Sequence, residues 1–342
     1  MASQSIWRRP QVWIGIVVSL ASLGLIFLII DVAAVANALA TADYHYVLLS
    51  SLGIVGFLIL RAIRWRFLLD NSVRLTPIFH IQNIGYMLNN ILPLRLGDAA
   101  RGVLIAGVPP VTLARGLSTM LIERLFDFLF VATLFPFTLA NSATVPDEIR
   151  GAARVSGVLA VGGIIVLIIA ANQRRRALAL ARWGLERLPF LDTGRWAGRI
   201  DELLQGLNTL TRLRDGLLVI LLSIAVWQPI IYAYYAALQA FGLEPTYLEA
   251  GFVVCMAAFA ISAPSSPGGA GPFHAAVTLG LVSVLNRPAD LSAAFAFLYH
   301  FLNLAVVVVF GLIAIPRVGT SFSRVVATAR GMLSRNSSPP AA

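Results

Sequence analysis

Six apolar stretches of this chain are candidates to cross a lipid bilayer, the fourth somewhat short. A helix needs about 20 mostly apolar residues to traverse the hydrocarbon core. The stretches are Val12–Ile30, Tyr46–Trp65, Leu117–Ala140, Val155–Ala171, Leu217–Ala240 and Ala293–Ile315. The first follows Arg8 and Arg9 and exceeds the apolar core of a cleaved signal peptide, about 7–15 residues, so a retained anchor is expected. Apolar residues make up 58% of the chain and charged residues 12%, half the usual ~25%. That balance excludes a disordered chain and an ordinary water-soluble enzyme. All 26 basic residues are Arg, and with 16 acidic residues the net charge is +10. On this apolar background the arginines point to a cytoplasmic face or an anionic lipid, not to nucleic acid. The lack of Lys is taken as compositional. Cys255 is the one cysteine, which excludes an internal disulfide and a C-x-x-C metal site.

Two further apolar pieces are too short to cross. Ile78–Leu92 carries Gln82, Asn83, Asn89 and Asn90 and stops at Pro93. Ala250–Ala263 stops at the Pro264–Pro272 loop, and Phe273–Leu285 follows. Such segments suit re-entrant helices, whose irregular backbone is tolerated at membrane depth only when buried in protein or lining a wet cavity. The positive-inside rule supports the assignment. With both termini inside, Arg61, Arg64, Arg66 and Arg74, the nine arginines of Arg174–Arg214, and Arg317, Arg324, Arg330 and Arg335 all fall inside. Only Arg150, Arg154 and Arg287 fall on or near the outer side. The parity closes when both short segments dip in and return, one from each side. Pro93–Gly97 and Pro267–Gly271 share a P-x-x-x-G spacing, as expected of inverted repeats with broken helices. The expected fold is therefore an all-α integral membrane protein with about six full spans plus two oppositely oriented re-entrant segments. Residues 1–333 form one polytopic domain, with an amphipathic helical hairpin over 174–215 on the inner leaflet. Residues 334–342 are expected to be a disordered tail.

Ionisable groups at membrane depth are functional candidates because each costs about 2.5–3.5 kcal/mol to insert. Arg61 and Arg64 share a helical face at i, i+3. They either snorkel beside Trp65 or capture a lipid phosphate, which guanidinium matches in a planar, bidentate way. In the second cluster, running from Asn90 through Arg95 to Arg101, Pro93 and Gly97 break the backbone. Asp98 stands at an N-cap position with Arg101 one turn later. A helix starting there aims free N–H groups at an anionic headgroup; the alternative is a capped turn. In the third cluster Glu123 and Asp127 share a face at i, i+4 and need a cation between them. Arg124 is spaced to pair with Asp127, and Arg95 or Arg101 can complete a network. That network either holds helices together or positions substrate.

The ordered series Arg61-Ala62-Ile63-Arg64-Trp65, Ile84-Gly85 through Asp98-Ala99-Ala100-Arg101, Glu123-Arg124-Leu125-Phe126-Asp127, and Ser266-Pro267-Gly268-Gly269-Ala270-Gly271 resembles the flippase-like transmembrane region of the lysylphosphatidylglycerol synthase family. The resemblance covers about residues 10–320. It implies a membrane protein that moves or binds an anionic lipid, with a homodimer as one arrangement. Two departures stand out: Asp98 and His274 occupy positions where the family pattern has Glu. No segment matches the family's soluble aminoacyl-transferase domain, so aminoacylation of lipid is not expected of this chain alone.

Gln228, Tyr232, Tyr235 and Gln239 share a face of the fifth span, and Tyr299, His300 and Asn303 lie on the sixth. They are expected to line a cavity or to bond between helices. Four scattered His, no H-E-x-x-H, no G-x-S-x-G and no Walker Lys argue against an enzyme, a metal site or a cofactor. The expected function is a lipid translocator in a prokaryotic inner membrane. Its lipid phosphate is held by Arg61, Arg64, Arg95 and Arg101. Asn90, Asp98, Glu123, Arg124 and Asp127 support it, and Pro264, Ser266, Pro267, Gly268, Gly269, Gly271 and His274 shape the outer half. The alternatives are a non-transporting partner that holds lipid or polyprenyl phosphate for a separate enzyme, and a membrane glycosyltransferase-like enzyme.

Overall fold

The computed structural model describes residues 10–92, 96–140, 147–187, 192, 194, 196–198, 213–262, 267–325 and 327. Among them every regular element is helical. In chain order these are α1 (Pro10–Phe27), α2 (Val32–Thr41), α3 (Tyr44–Leu68), α4 (Leu75–Ile91), α5 (Leu96–Ala106), α6 (Leu113–Ala140), α7 (Asp147–Asn172) and α8 (Arg174–Leu185). They continue with α9 (Leu213–Gln239), α10 (Tyr247–Ser262), α11 (Pro272–Leu279) and α12 (Ala289–Arg317). Three of them, α3, α9 and α12, are long and apolar enough to cross a membrane; α1 and α2, bent by 87°, add a fourth if counted as one broken span.

The apolar stretches seen in the sequence each centre on a helix, with one correction between them. The segment 31–43, between the first two apolar stretches, is not a plain loop but holds α2. Asp31 caps it, its side chain accepting from the Ala33 and Ala34 N–H groups, and Asp290 accepts the Asp31 N–H. An alanine-rich run with a good N-cap needs no further signal to coil.

The main packing pair is α3 against α9. Gly53 permits it, because a Cβ there would stand 2.7 Å from the Pro229 carbonyl oxygen. A core of Ile54, Val226, Ala233, Phe252, Val277 and Phe295 joins these helices to α10, α11 and α12. On its outer side α7 exposes Val155, Val158, Leu159, Ile165 and Val166. An apolar face of that extent suits lipid rather than water. On α8, Leu178 packs against a cluster of Leu68, Ile122, Phe126 and Val219, near the end of α3, the start of α9 and the middle of α6. The second arm of the expected 174–215 hairpin, like the tail 334–342, lies outside the described residues.

Two short-helix hairpins shape the interior. α4 and α5 pack antiparallel, with Gly97 against Gly85 and Asn89 bonded to Asp98. α10 and α11 do the same, with Gly280 against Phe252 and Met256. A 3-10 turn, Pro267–Gly269, precedes α11, and Gly268 and Gly271 both take positive φ. The two hairpins adjoin at Gly268 and Asn90: a Cβ on Gly268 would lie 3.3 Å from the Asn90 carbonyl oxygen.

Candidate functional site

Three helices bring five ionised side chains into one buried network. α3 presents Arg61 and Arg64 from one face, α6 crosses with Glu123 and Asp127 one turn apart, and α5 supplies Arg101. Arg61 Nη2 donates to Asp127 Oδ2 at 2.6 Å, and Arg64 Nη2 to Asp127 Oδ1 at 2.8 Å. Arg64 also lies 3.8 Å from Glu123 Oε1, so it is the cation between the two carboxylates. Arg101 Nη2 donates to Glu123 Oε2 at 2.8 Å. Arg64 is 0% exposed and Arg101 and Glu123 are each 1% exposed, which excludes interfacial snorkelling for Arg64.

Aromatic rings complete the walls. The Arg101 guanidinium lies 4.2 Å from the Trp65 ring centre, and Tyr86 sits 5.3 Å from both Arg61 and Arg101. Cation–π contacts of this kind strengthen when desolvated. Trp65 is fixed by donating its Nε1–H to Thr119 Oγ1 at 3.0 Å. Sequence reasoning missed Tyr86, which lies one turn before Asn90 on the polar face of α4.

Charge within the network does not cancel. Three guanidiniums face two carboxylates, leaving one positive charge in excess. The Nε–H groups of Arg61, Arg64 and Arg101 and the Tyr86 hydroxyl are buried with no hydrogen-bond partner. Unsatisfied buried donors are expensive, each about 1–3 kcal/mol. The set therefore favours an anion.

Arg124 is a correction. It pairs with Asp98, both carboxylate oxygens lying 3.1 Å from its Nη2, and not with Asp127 on its own helix. Asp98 is in turn not an N-cap: it lies inside the first turn of α5 and accepts from Asn89 Nδ2 at 3.0 Å. The α6 backbone turns Arg124 away from the buried face, where α5 supplies the nearest acid. Asn90 stands apart from the ionic network, donating its Nδ2 to the Tyr86 carbonyl. Arg95, Pro264 and Ser266 lie outside the described residues.

Of the two expectations for the tyrosine and glutamine stripe, bonding between helices is the one seen, at Gln228, which accepts from Tyr247 of the next helix. Tyr232 is 40% exposed, Tyr235 accepts from Gln239, and Tyr247 donates toward Gln228, all at the outer seam of α9 and α10. Tyr299 is 2% exposed and packs on Tyr234 in the apolar core. A half-turn of helix separates the two outcomes: Tyr234 faces inward, whereas Tyr232 does not. Asn303 is half-buried on α12. His300 instead reaches the second tip, where its Nε2 lies 2.9 Å from the Gly268 oxygen. Among the described residues no group of three or more His, Cys, Asp or Glu is placed to hold a metal ion.

Among the described residues, a helical bundle with apolar outer faces around a buried ionic network has the make-up of a membrane protein. The chain belongs to the family of the lysylphosphatidylglycerol synthase transmembrane region, whose pattern matches residues 12–311. It is 25% identical to the glycosyltransferase AglD of Haloferax volcanii across 90% of this chain and 54% of that protein, so it spans about half the length of that relative. It is likewise 25% identical to a UPF0104 membrane protein of Methanothermobacter thermautotrophicus, over 81% of this chain and 84% of that one. No solved structure matches it.

Proposed function

We propose that the protein binds an anionic lipid phosphate at the buried arginines and carries it across the membrane. The observation that carries this reading is the uncompensated positive charge of the Arg61, Arg64, Arg101, Glu123 and Asp127 network, with its three unpartnered Nε–H donors. A phosphate oxygen satisfies such donors with charge-assisted bonds. Asp98 and Arg124, half-exposed at the edge, guard the entry. Moving a headgroup unaided through hydrocarbon is prohibitive, and a polar path lowers that barrier. No catalytic role is assigned to the chain.

The proposed topology has six spans and both termini on the cytoplasmic side of a prokaryotic inner membrane, with the α4–α5 and α10–α11 hairpins entering from opposite sides. The 3.2 Å ion pair of Arg287 with Glu249 supports one common side for these two residues. A reporter fused at Pro245 is expected to read outside and one at Ala197 inside; the same side for both would end this topology.

In proteoliposomes, labelled anionic lipid is expected to flip faster with the wild-type protein than with Arg101→Ala. Arg124→Gln, at a half-exposed position where folding is tolerant, is expected to be slowed as well. Equal rates for all three would sink the transport reading. A second reading, a bundle that holds lipid phosphate for a separate lipid-modifying enzyme, draws on the relative named as a glycosyltransferase. Tightly co-purified lipid with no flipping would favour it, and sugar transfer by the purified chain would replace both readings.

A further inference from the structure

The outer face of α6 carries a charge where its neighbours are apolar. Leu117, Leu121, Arg124 and Phe128 follow one another at i, i+4, i+7 and i+11, and all four are exposed. The Arg124 side chain is 45% exposed. With apolar residues before and after it, the guanidinium stands within the lipid-facing stripe and not at its end. An ionisable group in a membrane helix is costly in such a place and ordinarily faces the bundle interior or a wet cavity. Its partner, Asp98 in the first turn of α5, is 30% exposed.

The pair stands where the seam between α5 and α6 runs out. Further along, glycines hold the two helices tight: a Cβ on Gly102 would lie 2.6 Å from Leu117 Cδ2, and one on Gly116 2.6 Å from Ile105 Cγ2. In the other direction α5 starts at Leu96, just before Asp98. Directly behind the pair is the buried network. Arg101 follows Asp98 by one turn of α5, Glu123 precedes Arg124 on α6, and these two are bonded at 2.8 Å.

The bond across the seam leaves much of the guanidinium unused. Both Asp98 oxygens are reached by one nitrogen, Arg124 Nη2, at 3.1 Å each. Among the described residues, Nε and Nη1 of Arg124 have no hydrogen-bond partner. The planar fork that suits a phosphate, two nitrogens to two oxygens, is therefore free. Asp98 also accepts from Asn89 at 3.0 Å, so it stays bonded when Arg124 leaves it.

We infer that Arg124 receives the headgroup of an anionic phospholipid entering sideways from the bilayer, that Asp98 holds Arg124 until the phosphate displaces it, and that the acyl chains stay outside along Leu117, Leu121 and Phe128. This rests on the reading that the buried arginines take an anionic lipid, and adds its point of entry and the residue that competes with it.

The test uses the full chain with benzoylphenylalanine in place of Leu121, in nanodiscs of mixed dioleoyl phosphatidylcholine and dioleoyl phosphatidylglycerol. The two lipids share their chains, so the phosphatidylglycerol share of the cross-linked lipid, set against its share in the disc, reads headgroup selection. Enrichment is expected at Leu121 and none at Val158 on the exposed face of α7. Arg124→Gln is expected to return Leu121 to the disc composition. Asp98→Asn removes a competitor whose exposed ion pair is weak, so enrichment is expected to rise about two- to fivefold. A merely structural pair would lose enrichment in both variants, and Arg124→Gln decides alone if Asp98→Asn does not fold. Soluble glycerol phosphate, added at the lipid's own concentration, has the phosphate without the chains and is expected to leave the enrichment unchanged. Disc composition at wild-type Leu121, no rise in folded Asp98→Asn, unchanged enrichment in Arg124→Gln or loss of enrichment to glycerol phosphate would each overturn the inference. A protein–protein cross-link at Leu121 would do the same, by putting a second copy over the seam. Lipid flipping measured alongside separates the two readings. Enrichment that answers both substitutions while no lipid flips overturns translocation alone, whereas flipping with no enrichment at Leu121 overturns the sideways entry alone.

Discussion

Asp127→Ala is expected to destabilise the protein by about 3–5 kcal/mol, the cost of breaking a buried ion pair from one side. The carboxylate accepts from Arg61 and Arg64, and both guanidiniums are already short of acceptors at Nε. Removing it leaves three buried cations facing Glu123 alone. Thermal unfolding in detergent measures the loss, and a variant within about 1 kcal/mol of wild type would show that the pairs contribute little. The triple variant Arg61→Leu, Arg64→Leu, Asp127→Leu is expected to regain much of that stability, because apolar replacements of a whole ionic group are often neutral or better. It is also expected to lose anionic-lipid binding altogether. A protein that is stable without the network but inactive without it would separate its structural from its functional role.

Gly97→Ala is expected to have an effect of similar size for a different reason. A Cβ at Gly97 would stand 1.8 Å from the Gly85 carbonyl oxygen, a backbone atom that cannot swing aside. Gly85 is as tightly placed from the other side, since its own Cβ would lie 2.2 Å from Arg101 Cγ. One methyl group therefore pushes α5 off α4 and carries Arg101 away from Glu123. Overpacking in a tight core typically costs about 1–3 kcal/mol, and the broken ion pair adds to it. Lipid binding is expected to fall with it, below the level expected from the folded fraction. Gly162→Ala on α7 is the control: nothing lies within 4 Å of its Cβ position, so a gain of about 0.5–1 kcal/mol from helix propensity is expected. A Gly97→Ala protein as stable as that control would contradict the packing described for the first hairpin.

Much of this site is legible in the order of residues along the chain. Spacing of i, i+3 puts Arg61 and Arg64 on one face, i, i+4 puts Glu123 and Asp127 on another, and like charge on that face demands a cation between them. The need for a cation is therefore readable, but not which one. The partners lie 22 to 66 residues apart in sequence, and helix crossing alone decides that Arg64 fills the gap. Arg124 shows the limit of local spacing: its i, i+3 relation to Asp127 is real, yet the Asp98 carboxylate of a neighbouring helix offers it two oxygens. Tyr86 and Trp65 carry no charge pattern, so their place against the guanidiniums is invisible in the sequence. The glutamine and tyrosine stripe is a sound periodic signal, but periodicity names a face without naming what that face meets.

Sequence by itself determined the helical membrane class, because bilayer thickness sets the length of an apolar segment and backbone hydrogen bonding leaves helices as its simplest solution. It also marked two of the helix ends, after Ile91 and after Ser262, because Pro removes a donor and Gly frees the backbone, although Pro136, Pro229 and Pro316 stand inside α6, α9 and α12. Only the tertiary structure decided that the two breaks meet, with Gly268 against Asn90 and His300 behind it. It alone decided, too, that three arginines share two carboxylates away from water. Contacts between residues far apart in the chain depend on how helices cross, and crossing is set by packing at glycines such as Gly53, Gly85 and Gly97, where a single added methyl group has no room.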